Sequence, residues 1–142
     1  MKIGIGSDHA AFNEKNLLIK YLEENSYSVS DFGCNSNASV DYPDFAHSLS
    51  KEIVSNKIDR GILICGTGIG ISIAANKNKG IRAALCTTNY HAEMSRKHND
   101  ANIITFGARV TDIKTMYRMI DIFLSTDFEG GRHQKRLDKI EL

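Results

Sequence analysis

Short non-polar runs of strand length alternate along this chain with longer stretches whose apolar positions recur every three or four residues. The short runs are Lys2 to Gly6, Tyr27 to Phe32, Ile62 to Cys65, Ile81 to Cys86 and Asn102 to Phe106. Between them the spacing predicts a helix from about Ala11 to Asn25, with Leu17, Leu18, Tyr21 and Leu22 on one face. A second follows Asp41-Tyr42-Pro43-Asp44 and carries Phe45, Leu49, Ile53 and Val54. Others cover Ile69 to Lys77, Asn89 to His98 and Thr111 to Leu124, the last with Ile113, Met116, Ile120 and Phe123. Pro43 suits the first turn of its helix and Gly80 suits a stop. Strands and helices that alternate over short connections indicate a parallel sheet covered on both faces. Right-handed crossovers then favour an α/β, doubly wound, Rossmann-like sheet of five strands in the order 2-1-3-4-5.

In that order the first and third strands are neighbours whose following loops diverge, and the crevice between them is where such sheets collect ligands. Two chemically loaded stretches fall at its mouth. One is Asp8-His9, after the first strand; the other is Cys65-Gly66-Thr67-Gly68-Ile69-Gly70, where the third strand runs into three alternating glycines. Glycines let a backbone approach a ligand closely, and a helix starting there leaves unpaired N–H groups pointing into the same space. Such a place attracts anions. It also stabilises a thiolate over a thiol, so Cys65 is a candidate base beside an oxyanion or phosphate cradle.

Composition narrows the classes. The 142 residues are 42% hydrophobic and 25% charged, with a net charge of +1, which suits one globular domain spanning 1–142 and gives no footprint for nucleic acid. No apolar run approaches the roughly 20 residues of a membrane span, and MKIGIGSDH shows no signal-peptide pattern, so the cytoplasm is the expected compartment. Cys34, Cys65 and Cys86 are widely spaced and odd in number, which supports neither a disulfide framework nor a zinc site. They are expected to be free thiols, with Cys34 and Cys86 inert.

Other readings of the glycine loop fare worse. Its third glycine comes one residue early for a dinucleotide fingerprint, and Ala84 to Thr88 stand where an acidic ribose ligand belongs. A P-loop would need a GK[ST] that is missing, and the linear motifs of cysteine hydrolases are missing too. His47, His91 and His133 are read as surface or packing residues. His98, followed by Asn99-Asp100 just before a strand, and His9 in the crevice remain candidates for function. After Glu129-Gly130-Gly131 a basic tail, 128–142, forms a short helix. Arg132 and Arg136 share a face there and can grip one anion, while Leu137, Ile140 and Leu142 dock the tail. Taken alone, that charge cluster also fits a solvated terminus.

Together these motifs resemble the B-type ribose-5-phosphate isomerases, which share their fold with galactose-6-phosphate isomerase subunits. The resemblance runs almost the whole chain: Ser7-Asp8-His9, Asp41-Tyr42-Pro43, Gly61 to Lys77, Arg96-Lys97-His98-Asn99-Asp100, Phe106-Gly107-Ala108-Arg109 and Glu129 to Arg136. It implies interconversion of ribose 5-phosphate and ribulose 5-phosphate in the pentose phosphate pathway, with neither cofactor nor metal. In the family the residue matching Cys65 is the base, although some members use a carboxylate elsewhere. Carried over by motif, Thr67 orients the base, His98 protonates the ring oxygen with Asp8 sharing that proton traffic, and Tyr42 and Asn99 bind substrate. His9, Arg109, Arg132 and Arg136 hold the phosphate, and the backbone from Gly66 through Gly68 and Ile69 to Gly70 holds the enediolate. Galactose-6-phosphate isomerase divides its site between two dissimilar subunits, whereas this chain carries all of these residues, implying a self-sufficient homo-oligomer. Chain direction puts Cys65 at the carboxyl edge of the sheet and His98 at the amino edge. The expectation is therefore a homodimer with shared sites, or a tetramer built from it. Six-carbon sugar phosphates as substrates, and a binding module without turnover, remain open at this level.

Overall fold

The computed structural model describes residues 1–141, so the docking contact expected of Leu142 lies outside the described residues. The parallel strands are β1 (Lys2–Ser7), β2 (Ser28–Asp31), β3 (Arg60–Cys65), β4 (Ala83–Leu85) and β5 (Ile103–Gly107). The helices are α1 (Phe12–Glu24), α2 (Tyr42–Val54), α3 (Ile69–Asn76), α4 (Asn89–Lys97), α5 (Ile113–Ser125) and α6 (Arg132–Ile140), with a 3-10 turn at His9–Ala11. Most expected boundaries shift by one or two residues. The fourth strand, expected over Ile81 to Cys86, shortens to three residues.

Strand order is β2-β1-β3-β5-β4, so the last two strands exchange places relative to the expectation. Burial explains the exchange. Every residue of β5 is buried, whereas the three residues of β4 are only half-buried. Ile103, Ile104 and Phe106 lose contact with water only if a strand pairs on each side and helices cover both faces, which is the situation of an interior strand. A three-residue strand suits an exposed edge.

The exchange also moves a helix. Because the chain steps past one strand to reach β4 and then steps back to β5, α4 crosses on the opposite face from α3. One core therefore joins α1, α4 and α5 to the sheet, through Leu18, Leu22, Ala92, Met116, Ile120 and Phe123 against Ile3, Ile5, Ile62, Ile64 and Phe106. The other joins α2 and α3, through Ala46, Leu49, Ile53, Ile71 and Ala74 against Leu63, Cys65 and Ile103. Alternation along β3 thus sends Ile62 and Ile64 to the first face and Leu63 and Cys65 to the second. Among the described residues no helix is long and apolar enough to cross a membrane.

Candidate functional site

Cys65 is the last residue of β3 and is 4% exposed. The Gly68 N–H donates to its Sγ over 3.1 Å. Gly68 makes that geometry possible, since its φ of 79° is left-handed and a Cβ there would stand 2.7 Å from the Phe106 carbonyl carbon. The loop consequently folds back on β5 with its N–H turned onto the sulfur. The sulfur is thereby held by a backbone donor at the mouth of the crevice. The Ile69 N–H donates to Thr67 Oγ1 over 3.2 Å, which leaves the Thr67 hydroxyl hydrogen free to point elsewhere. Two of the N–H groups expected to face a ligand are thus spent inside the loop. The first turn of α3, with Gly70 and Ile71, keeps donors without intrahelical partners.

Four more of the expected residues reach the same edge. Asp8, 7% exposed, follows β1 and donates its N–H to the Ile64 carbonyl at 3.2 Å; its Oδ1 accepts from the Ala10 N–H at 3.0 Å. His9 Nδ1 accepts from the Val40 N–H at 3.2 Å, so the neutral ring carries its proton on Nε2, available to an anion. Tyr42 opens α2 with its ring over Gly70, where an added Cβ would come within 2.7 Å of the hydroxyl. Arg109 donates its N–H to the Gly66 carbonyl at 3.0 Å and lays its guanidinium over the same glycine.

The remaining four lie elsewhere. His98 caps the carboxyl end of α4, and the nearby Asn102 carbonyl accepts the N–H of Gly61 at the start of β3. From Gly61 to Cys65 the strand climbs about 13 Å, so His98 and Asn99 sit at the opposite edge of the sheet from the thiol. Arg132 and Arg136, both exposed, stand on α6, whose His133 packs on His98. One subunit therefore holds two half-constellations rather than one.

The His98–Asn99 corner is tightly built by Arg96 and Asp100, quoted above only as part of a motif, and by Arg82, which sequence reasoning passed over. Arg96, 3% exposed, donates to the Ala101 and Thr126 carbonyls and pairs with Asp100 at 2.8 Å. Arg82 pairs with the same carboxylate at 3.2 Å and donates to the Asn99 carbonyl. Asp100 itself takes a φ of 44°, left-handed backbone that Asp tolerates better than most residues, and the two arginines fix its carboxylate. Arg82 and Asn99 line a cavity of about 530 Å³ running from Asn76 to Ala84 and under Ile140; it lies away from the Cys65 loop.

His98, Glu129 and His133 bring ligand-type atoms within 4.8 Å of one another. The two rings are stacked with planes 12° apart, which keeps their lone pairs in parallel sheets instead of converging on one ion. That cluster is a ring stack with the Glu129 carboxylate 3.4 Å from His133 Nε2. Cys34 and Cys86 are buried free thiols, and burial pushes the Cys86 thiol up to about 12, far from any nucleophilic role. Buried Lys15 pairs at 2.5 Å with the exposed carboxylate of Asp31, which ties α1 to β2 and had no sequence signal.

Comparison with known proteins places this arrangement. A family model described as Ribose/Galactose Isomerase matches residues 3–140. A "Ribose-5-phosphate isomerase B" of Escherichia coli is 44% identical over 98% of this chain and 93% of its own length. A "Putative sugar phosphate isomerase" of Rickettsia bellii is 50% identical over 98% of this chain and 96% of its own. Among solved structures, the Clostridium thermocellum ribose-5-phosphate isomerase B superposes with a TM-score of 0.98 at 52% identity, covering 99% of this chain and 95% of that one. The Thermotoga maritima ribose 5-phosphate isomerase gives 0.97 at 48%, covering 99% and 97%.

Proposed function

The chain belongs to the ribose/galactose isomerase family, and on that premise we propose that it interconverts ribose 5-phosphate and ribulose 5-phosphate, a step of the pentose phosphate pathway. The observation that carries the reading is the Gly68 N–H on Cys65 Sγ at the mouth of the β1–β3 crevice, with free helix donors beside it. A sulfur base fixed in place next to oxyanion donors is what removal of a proton beside a carbonyl requires. The chain acts as one domain, 1–142, whose tail, 128–142, completes the site.

The steps follow from the groups present. In ring opening the C1–O4 bond breaks, O4 takes a proton from His98, and the C1 hydroxyl proton passes to Asp8 as the carbonyl forms. The Cys65 thiolate then takes the C2 proton, leaving an enediolate over O1 and O2. Thr67 and the N–H groups of Gly70 and Ile71 hold these oxygens. The O2 proton moves to O1, and sulfur returns its proton to C1. C2 is oxidised and C1 reduced within one molecule, so no external oxidant or reductant enters. Tyr42 and Asn99 hold sugar oxygens, while His9, Arg109, Arg132 and Arg136 hold the phosphate.

This chemistry needs His98 beside Cys65, so the active form is a homodimer in which each copy lends its His98, Asn99, Arg132 and Arg136 to the other's glycine loop. A tetramer would pair two such dimers. Supporting an interface on that side, Ile69 and Ile73 lie one turn apart on α3 and are 53% and 56% exposed. Three free cysteines fit a reducing compartment, and we place the enzyme in the cytoplasm.

Incubation with ribose 5-phosphate in deuterated water should yield ketose with deuterium at C1, read by NMR. Ligand binding without exchange would leave a binding module instead, and faster turnover of a six-carbon sugar phosphate would change the substrate. Arg132→Ala or Arg136→Ala should each raise KM about 10- to 100-fold, as expected for one charged hydrogen bond, with a smaller effect on kcat. Steady-state kinetics showing KM unchanged in both would make the tail a solvated terminus.

A further inference from the structure

His133 was expected to be a surface or packing residue, and its surroundings give it a more specific task. It is 4% exposed, and its ring stacks on that of His98 with centroids 4.3 Å apart. Among the described residues nothing hydrogen-bonds its Nε2, and the Glu129 carboxylate lies 3.4 Å from it. Glu129 is anchored in turn, since its N–H donates to the Lys97 carbonyl one residue before His98. Burial, and then the neighbouring His98, push the His133 imidazole below its ordinary value and so towards the neutral form. A neutral ring makes a good platform: its face is electron-rich, and an imidazolium laid over it gains rather than loses.

The same helix faces two ways. His133 and Leu137 are its buried residues, whereas Arg132 and Arg136 point outward. We infer that α6 is a positioning element in which His133 supports the His98 ring in the orientation for protonating the sugar ring oxygen, while the opposite face grips the phosphate. This rests on the reading of His98 as the ring-opening acid. Phosphate engagement and acid alignment are then linked by one rigid helix, because a shift of α6 towards the phosphate carries the platform with it. His133 touches no substrate. It acts through His98.

The test exploits the fact that ribulose 5-phosphate is acyclic, since its C5 oxygen carries the phosphate. Solvent deuterium exchange at its C1 needs Cys65 and the oxyanion donors but no ring opening. His133→Ala should lower ribose 5-phosphate turnover about 10- to 100-fold, the scale of an approximately 1 Å misplacement, and change exchange into ribulose 5-phosphate by less than about twofold. His133→Phe keeps an aromatic face, loses no hydrogen bond, and should restore most of the turnover. A fall of both rates together in His133→Ala would make the residue merely structural, and two unchanged rates would make it idle; either overturns the inference. Should His133→Ala melt below assay temperature, His133→Leu fills the space without an aromatic face, and the same separation of rates must appear there at about 3- to 10-fold. Its absence counts against the inference. His98→Ala is the control: if it fails to separate the rates, the acid assignment itself is wrong. If it separates them and His133→Ala does not, only the platform falls.

Discussion

Cys65→Ala abolishes isomerisation while leaving sugar-phosphate binding nearly intact: kcat falls by at least about 10³-fold and the affinity for ribose 5-phosphate changes by less than about threefold. The asymmetry follows from where the sulfur works. Its proton transfer is realised only in the transition state, whereas the phosphate grip and helix donors act equally in the ground state. A thousandfold corresponds to about 4 kcal/mol of lost transition-state stabilisation, within the reach of one general base. The fold should survive, because Cys65 is replaced by a smaller apolar residue at a strand end where only the Gly68 N–H loses a partner. Calorimetric titration beside a turnover assay decides the matter. A variant that still turns over at a tenth of the wild-type rate would remove Cys65 from the role of base, and one that loses binding and turnover in proportion would make it a binding residue.

The second large effect is recovery of activity from two dead chains. Cys65→Ala and His98→Ala, each nearly inactive, are denatured together and refolded. Random pairing makes about half of the dimers mixed, and each mixed dimer holds one intact site and one doubly impaired site. Roughly a quarter of wild-type activity should therefore return. The structural basis is β3, which climbs about 13 Å from Gly61 to Cys65 and so leaves the His98 corner at the opposite sheet edge from the thiol. A tag on one chain, showing that mixed dimers formed without activity, would require each site to be complete within one subunit.

Much of this was legible residue by residue. The alternation of apolar runs announced an α/β sheet, the glycines after Cys65 announced a loop that folds close, and Asp8-His9 stood at the matching strand end. Even the separation of His98 from Cys65 follows from counting chain reversals, because strand direction is a one-dimensional property once strands and helices are known.

Tertiary structure alone decided what depends on competition among distant segments. Which of two late strands becomes interior turned on whose side chains lose water on both faces, and Ile103 to Phe106 prevailed over Ala83 to Leu85. No local pattern marks that contest. The same holds for charge. Arg96, Lys15 and His133 are of types that ordinarily stay in water, and each is buried because a set of carbonyls, a carboxylate or an aromatic face from another element meets it. Sequence determined which groups the chain can bring to a reaction; packing over long range determined which of them face one another, since burying a polar group is tolerable only where a partner from elsewhere arrives to satisfy it.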